Sequence, residues 1–151
     1  MNILVTGGTG FVGKALVTAL LSRGDSVTVL TRSIEKAQAA FPEKTPQFLT
    51  ALSALKDLNT FDAVINLAGE PIFDKKWTVQ QKEKLRHSRI DLTQQIVQFI
   101  NQSEHPPVLI SGSATGIYGN CGDEQITEHT NPSTQFTAQL CIDWENAAQQ
   151  A

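Results

Sequence analysis

The chain has 151 residues, of which 40% are hydrophobic and 18% are charged, and its formal net charge at pH 7 is −3. This composition is typical of one globular domain, and the acidic balance leaves no basic stripe for a nucleic acid. No apolar run approaches the roughly 20 residues that span a bilayer, and the two cysteines lie too far apart for metal-ligand spacing. We therefore expect no nucleic-acid or membrane partner, no metal site, and a reduced, cytoplasmic setting.

Short apolar runs alternate along the chain with segments of helical spacing. In chain order, the pattern predicts a strand at 2–6, a helix at 11–23, a strand at 26–30, a short helix at 34–40, strands at 47–50 and 63–67, a long helix at 79–101, a strand at 108–111, a loop at 112–135 and a final helix from about 135. Such alternation is typical of a parallel sheet with helices on both faces. We predict a Rossmann-like doubly wound α/β fold in three layers, with the sheet ending after the fifth strand.

A glycine-rich turn joins the first predicted strand to the first predicted helix. The segment TGGTGFVG places glycines at Gly7, Gly10 and Gly13. These suit a tight turn, a close approach of the main chain to a pyrophosphate, and close packing of helix on strand, respectively. Because the turn follows a strand and opens a helix, we predict a dinucleotide site that includes Phe11 and Val12. The alternative is a structural turn without a ligand.

The end of the second predicted strand indicates which dinucleotide binds. An acidic residue there would bond the ribose 2′-hydroxyl of NAD. The chain instead has Thr31 and Arg32 at that end, and Asp25 lies before the strand. Because an arginine can form a forked pair with a phosphate, we predict that Thr31 and Arg32 contact NADP(H). The alternative is that Arg32 is a solvated surface side chain.

Five further motifs carry a resemblance to a known family. They are NLAGEPI (66–72), KWT (76–78), SRIDLT (88–93), SGSATGIYG (111–119) and DWENAA (143–148). Together with the glycine turn they resemble an atypical branch of the extended short-chain dehydrogenases/reductases, the NAD-dependent epimerase/dehydratase-like proteins or sugar-nucleotide epimerases. The resemblance covers the whole chain and implies a small-molecule substrate, such as a nucleotide sugar.

The resemblance also has implications for domain organisation. Members of this branch are about twice as long as this chain, with a smaller C-terminal domain that completes the substrate pocket. Residues 1–151 are therefore expected to be an incomplete NADP-binding Rossmann domain. A homodimer through the helices at 79–101 and 136–151 is also implied, and Leu140, Trp144 and Ala148 of the second helix recur at helical spacing.

Candidate catalytic residues also follow from the resemblance. Ser113 matches a serine that hydrogen-bonds the substrate carbonyl, with a strand-end cap as the alternative, and Tyr118 is a candidate substitute proton donor. The usual tyrosine and lysine precede a glutamate that we match to Glu145, which puts Thr137 and Cys141 at their positions. A threonine is a poor proton donor and a cysteine carries no positive charge, so the usual acid–base pair is missing.

Residues beyond the glycine turn complete the predicted cofactor site. Arg89 shares the apolar stripe of the long helix, and an inward-facing charge must be paired or reach a ligand. We therefore predict that Arg89 contacts the NADP phosphates or ribose, with a snorkelling arginine at the helix edge as the alternative. Glu83 is predicted to hold a ribose hydroxyl or to form an ion pair with Arg86. At the end of the fourth strand, the backbone is predicted to line the cofactor at Leu67, Ala68 and Gly69.

The sequence leaves two functions open. The glycine turn fits an NADP-dependent epimerase or oxidoreductase, whose substrate side would include Glu70 and Trp77. The missing tyrosine–lysine pair favours a different class of protein, a module that binds NADPH as a sensor or regulatory ligand. The two interpretations share the cofactor and differ in whether a substrate turns over.

Overall fold

The computed structural model describes residues 1–43 and 45–151. Within these ranges, five strands form the centre of the domain: β1 (Asn2–Thr6), β2 (Ser26–Leu30), β3 (Gln47–Leu49), β4 (Ala63–Asn66) and β5 (Val108–Ser111). The α-helices that flank them are α1 (Phe11–Arg23), α2 (Ile34–Ala40), α3 (Val79–Arg86), α4 (Leu92–Asn101) and α5 (Phe136–Ala148).

The described strands form one parallel sheet in the order β3-β2-β1-β4-β5. In β1, Ile3 pairs with Val27 of β2 on one side and with Ala63 of β4 on the other. The chain thus moves outward from β1 to β3 and then returns to the opposite side of β1 at β4. This reversal confirms the predicted doubly wound, Rossmann-like fold, and it opens a crevice at the carboxyl ends of β1 and β4.

Alternate residues of each strand pack on opposite faces of the sheet. On one face, Val5 packs with Val17 of α1, and on the other, Leu4 packs with Ile96 of α4. A third cluster joins α3 and the turn that follows it to α5: Leu85, Ile90, Leu140, Trp144 and Ala147. The helices therefore cover both faces, although Val108 and Ile110 of β5 remain 65% and 52% exposed on the face that α1 covers.

The segment predicted as one long helix has a different hydrogen-bonding pattern at its middle. A π-helical turn, His87–Asp91, separates α3 from α4. Such a turn accommodates an extra residue, and apolar spacing alone does not distinguish it from an α-helix. The remaining differences are at the ends of elements: β3 and β4 each stop one residue earlier than predicted, and α5 begins at Phe136. The predicted loop at 112–135 contains a short 3₁₀ turn, Thr115–Ile117.

Neither a membrane-spanning helix nor a metal-binding cluster is found among the described residues. In residues 1–43 and 45–151, no helix is long and apolar enough to cross a membrane. Over the same ranges, no group of three or more His, Cys, Asp or Glu side chains is placed to hold a metal ion. The cytoplasmic setting and the incomplete domain stay predictions.

A buried network of polar side chains connects the sheet to the helices beside the crevice. Thr6 Oγ1 donates to Asn66 Oδ1 at 2.6 Å, and Asn66 Nδ2 donates to Thr93 Oγ1 at 2.8 Å. Thr93 Oγ1 also accepts from Trp144 Nε1 at 3.0 Å and donates to the carbonyl of Arg89 at 2.6 Å. Thr6, Asn66 and Thr93 are at most 1% exposed. Because unpaired groups at this depth carry a full desolvation cost, the network fixes how α4 and α5 sit on the sheet.

Replacing Thr93 by Val should therefore destabilise the domain strongly. Valine keeps the shape but leaves the donors of Asn66 and Trp144 without their shared acceptor, which costs about 2–4 kcal/mol of unfolding free energy. The matched control is Thr93→Ser, which keeps the hydroxyl and loses one methyl group, at a cost of about 1 kcal/mol. Urea unfolding followed by circular dichroism measures both. Equal stability of the two variants would show that the shared hydroxyl is not what holds these elements.

Candidate functional site

The glycine-rich turn runs from the end of β1 into α1. Gly7 has a φ of +67°, and a Cβ there would lie 2.6 Å from the carbonyl carbon and oxygen of Leu67, so glycine is required. The N–H of Gly10 donates to the carbonyl of Gly7 at 3.0 Å and closes the turn. A Cβ on Gly13 would lie 2.2 Å from the carbonyl oxygen of Gly7. The beginning of α1 therefore packs directly against the turn.

The first turn of α1 supplies hydrogen-bond donors beside the crevice. Its N-cap is Gly10, which has no side chain to accept from the helix N–H groups. Those groups lack intrahelical acceptors and form the positive end of the helix dipole. Phe11 and Val12 are 98% and 63% exposed, and because they lie in this first turn their backbone N–H groups are among the donors. This arrangement suits a phosphate.

A cleft of about 640 Å³ opens at the carboxyl ends of β1, β2 and β4. Its lining consists of Thr6, Gly7, Thr9, Gly10, Leu30, Thr31, Arg32, Ser33, Lys36, Ala37, Thr50, Leu67, Ala68, Gly69, Glu70, Pro71, Ser88 and Leu92. The predicted cofactor residues that the structure brings together here are Gly7, Gly10, Thr31, Arg32, Leu67, Ala68 and Gly69. The predicted residues outside this lining are Phe11, Val12, Gly13, Glu83 and Arg89.

Two positive side chains lie at the β2 end of the cleft. Arg32 follows β2, and Lys36 lies in the first turn of α2, so both contribute to the lining. Ser33 caps α2 by accepting from the N–H of Lys36 at 3.4 Å. Sequence reasoning missed Lys36, for which the available signal was a second cation in the helix that begins just after Arg32. Asp25 lies at the opposite end of β2, where its carboxylate accepts from Arg23 and from the amino terminus.

The loop after β4 forms the opposite wall of the cleft, and the side chain of Arg89 lies behind it. Arg89 Nη2 donates to the carbonyl of Glu70 at 3.1 Å, and a Cβ on Gly69 would lie 2.7 Å from Arg89 Cζ. The guanidinium also lies 5.5 Å from the ring centroid of Trp144. Burial lowers the pKa of Arg89. The structure thus pairs this inward-facing charge with protein groups, and direct contact with the cofactor stays a prediction.

The predicted role of Glu83 receives no support from its position. Glu83 is exposed on α3, and it is not among the residues that line the cleft. The nearby Arg86 forms its ion pair with Asp143 of α5. A bond from Glu83 to the ribose therefore stays a prediction.

Ser113 and α5 meet beyond the carboxyl end of β5. Ser113 Oγ donates a hydrogen bond to Oε1 of Glu145, the residue that the resemblance matches to the family's glutamate. Thr137 packs near Gly116 of the 3₁₀ turn, because a Cβ on Gly116 would lie 3.7 Å from Thr137 Cβ. Tyr118 follows this turn and is partly buried. The arrangement places a hydroxyl and a carboxylate together, and catalytic roles for Ser113 and Tyr118 stay predictions.

Cys141 is unsuited to nucleophilic chemistry. Its side chain lies in α5 and is 5% exposed. Burial, and then the Glu145 carboxylate, raise the pKa of the thiol, against smaller opposing effects from the Ala114 backbone and Arg89. Because the thiolate is the nucleophilic form, this environment keeps Cys141 inert near neutral pH.

The segment after the cleft wall presents aromatic and charged groups. The Lys75 ammonium lies 3.1 Å from Glu70 and holds the pKa of that carboxyl below its usual value. Trp77 Nε1 donates to the carbonyl of Ile72 at 2.8 Å, and the Trp77 ring meets Phe136 of α5 edge to face. Glu70 thus lies on the cleft while Trp77 lies beside α5, and their roles at the substrate side stay predictions.

A second groove of about 500 Å³ lies between α5 and the helical segment from α3 to α4. Its lining is rich in amides, with the Arg86–Asp143 ion pair at one end. In α5, Leu140 and Trp144 are buried within the domain, as expected for an inward stripe, and Ala148 is half-buried. The resemblance implies a homodimer through the helices at 79–101 and 136–151, and the homodimer stays a prediction.

Comparison with known proteins identifies the family. Residues 3–151 match the model of the NAD dependent epimerase/dehydratase family. The chain belongs to that family. It is 35% identical to the chloroplastic epimerase family protein SDR39U1 homolog of Arabidopsis thaliana, over 100% of the chain and 45% of that protein. It is 34% identical to epimerase family protein YfhF of Bacillus subtilis, over 99% of the chain and 50% of that protein.

Solved structures of family members share the fold. Human epimerase family protein SDR39U1 (isoform 2), determined with NADPH, superposes with a TM-score of 0.83 at 29% identity, over 98% of this chain and 48% of that one. The nucleoside-diphosphate sugar epimerase of Corynebacterium glutamicum superposes with a TM-score of 0.77 at 32% identity, over 100% of this chain and 31% of that one. The chain thus spans about half or less of the length of these relatives.

Two glycine substitutions should separate folding from ligand binding. Gly13→Ala forces a Cβ into the carbonyl of Gly7, which we expect to lower the free energy of unfolding by about 3 kcal/mol. In Gly10→Ala the new Cβ lies 3.2 Å from the same carbonyl, so a small shift suffices. Its methyl group lies on the cleft lining, and we expect roughly tenfold weaker NADPH binding, about 1.4 kcal/mol, with folding retained. Urea unfolding and calorimetric titration measure the two effects. Unchanged NADPH affinity in Gly10→Ala would argue against a dinucleotide at this turn.

Proposed function

We propose that this chain is the NADP(H)-binding domain of a nucleoside-diphosphate-sugar epimerase or a related oxidoreductase. The observation that carries the proposal is the pair of cations, Arg32 and Lys36, at the β2 end of the cleft. A ribose 2′-phosphate is the group of NADP that distinguishes it from NAD, and a strand-end arginine is its usual partner. Of the described residues that line the cleft, Glu70 is the one acidic side chain, and it is paired with Lys75 on the opposite wall.

The glycine turn supports the position of the rest of the cofactor. A pyrophosphate at the amino end of α1 would meet backbone N–H groups and the positive end of the helix dipole. From there, the 2′-phosphate would extend toward Arg32 and Lys36, and the nicotinamide would extend along the wall formed by Leu67, Ala68 and Gly69. The NADPH in the human relative is consistent with this choice of cofactor.

Titration of NADPH and NADH into the protein tests the proposed preference for NADPH. We expect wild-type protein to bind NADPH more tightly than NADH, and Arg32→Ala to lose roughly tenfold to hundredfold in NADPH affinity, the value of about 1.5–3 kcal/mol for a hydrogen bond to a charged group. Binding of NADH should change little, because it has no 2′-phosphate. Arg23→Ala is the matched control, since Arg23 lies at the opposite end of β2 and bonds Asp25. Equal affinity of the wild type for both cofactors would rule out the proposed preference.

A second function, an NADPH sensor or regulatory module, is favoured by the residues that stand where the resemblance places the usual acid–base pair. Thr137 and Cys141 hold those positions, and Cys141 is buried with a raised thiol pKa. In this interpretation the cofactor is a ligand that is not consumed. The pairing of Ser113 with Glu145 favours the enzyme instead, because a hydroxyl beside a carboxylate can pass a proton to a base.

Turnover distinguishes these two functions. The assay needs the full-length protein, because the C-terminal domain is expected to complete the substrate pocket. If that protein is an enzyme, it should convert a nucleotide sugar or a carbonyl compound in the presence of NADP(H), and Ser113→Ala should lower the rate by about 100-fold, the lower bound for acid–base catalysis. Nuclear magnetic resonance of the sugar products and NADPH absorbance follow the two kinds of reaction. Tight NADPH binding without any conversion would instead support the sensor.

A further inference from the structure

The π-helical turn at His87–Asp91 lies directly behind the wall of the cleft. Its Ser88 and Arg89 together bond both hydrogen-bonding groups of one residue in that wall. The N–H of Glu70 donates to Ser88 Oγ at 2.9 Å, and the carbonyl of Glu70 accepts from Arg89 Nη2 at 3.1 Å. Because a main-chain segment bonded at both groups is strongly restrained, these two side chains hold the wall at Glu70. Nearer to β4, the N–H of Leu67 bonds the carbonyl of Thr6 in β1.

The two side chains also brace each other and the helix. Ser88 Oγ donates to the carbonyl of Leu85 at 3.0 Å, and Arg89 Nη1 lies 3.3 Å from that carbonyl and 3.4 Å from Ser88 Oγ. Behind the guanidinium lies the ring of Trp144, whose N–H is fixed by Thr93. Arg89 is therefore locked by contacts on several sides, which gives it the rigidity that a positioning group needs.

Gly69 allows the wall to approach closely the side chains of Ser88 and Arg89, which together are called the brace. A Cβ at position 69 would lie 2.7 Å from Arg89 Cζ and 2.8 Å from Arg89 Nη2. The backbone at Gly69 therefore packs directly against the guanidinium, and the neighbouring carbonyl of Glu70 bonds it. Both residues line the cleft, as does Ser88.

We propose that Ser88 and Arg89 are positioning residues for dinucleotide binding: they hold the Gly69–Glu70 backbone in the shape that the bound cofactor needs. Neither residue must touch the cofactor for this role, which rests on the proposed function of the cleft. With these bonds the wall is already ordered in the folded protein. The conformational entropy of the loop is therefore lost on folding and does not oppose cofactor binding.

Loss of either side chain should weaken cofactor binding without unfolding the domain. We expect Ser88→Ala and Arg89→Lys each to raise the Kd for NADPH by roughly tenfold, since each removes a bond to Glu70 or the forked geometry that makes it. Ser88→Thr keeps the hydroxyl and should restore most of the affinity. Arg86→Met, three residues before Arg89 and bonded to Asp143, is the control and should bind NADPH as the wild type does.

Calorimetric titration with NADPH measures the affinities, and amide hydrogen exchange without ligand reports the Glu70 N–H directly. Faster exchange at Glu70 together with weaker binding, in variants that unfold at the wild-type temperature, would support the positioning role. Wild-type affinity in folded Ser88→Ala and Arg89→Lys would overturn it. A wild-type protein that binds neither NADPH nor NADH would overturn the proposed function itself, and this role with it. Should Arg89→Lys fail to fold, the smaller Ser88→Ala change still decides the matter.

Discussion

The hydroxyl of Thr93 is shared by partners from three separate parts of the chain, and the architecture around the cleft depends on it. It accepts from Asn66 in the sheet and from Trp144 in α5, and it donates to the carbonyl of Arg89 in the π-helical turn. Each of these groups is removed from water, so each needs its partner. A hydroxyl is small enough to fit at the junction, and it can both donate and accept. Few other side chains would satisfy all three.

The hydrogen bonds of Thr93 restrain groups on two sides of the site, the wall of the cleft and α5. On the cleft side, Thr6 receives the N–H of Ala68 while it bonds Asn66, so the β4 loop begins from a fixed point. On the other side, Trp144 is held in place as the surface against which Arg89 packs. The same network therefore fixes both the wall of the cleft and the helix that carries Glu145. A ligand spanning the two would meet a frame that is already assembled.

The positive side chains of the site lie in two different surroundings. Arg32 and Lys36 both line the cleft at the β2 end, where the proposed function places a phosphate. Arg89 differs, because its charge is satisfied by backbone carbonyls and an aromatic ring behind the wall. A guanidinium tolerates such burial since it stays protonated and presents several donors in a fixed plane. Two arginines of one site thus serve different purposes, and their surroundings determine which.

The sequence by itself determined the parts of this protein whose signals are local. The glycine turn, the strand that precedes it and the cation after β2 could be predicted because each depends on residue spacing along a few consecutive positions. The approximate bounds of most elements followed from the same periodicity. Only the tertiary structure decided the π-helical turn, the brace behind Gly69 and the partnership of Ser113 with Glu145. The π-helical turn is local, but apolar spacing does not distinguish it from an α-helix. In the other two cases the bonded groups lie 18 to 32 positions apart, and such hydrogen bonds depend on orientations that packing sets and that no short-range pattern encodes.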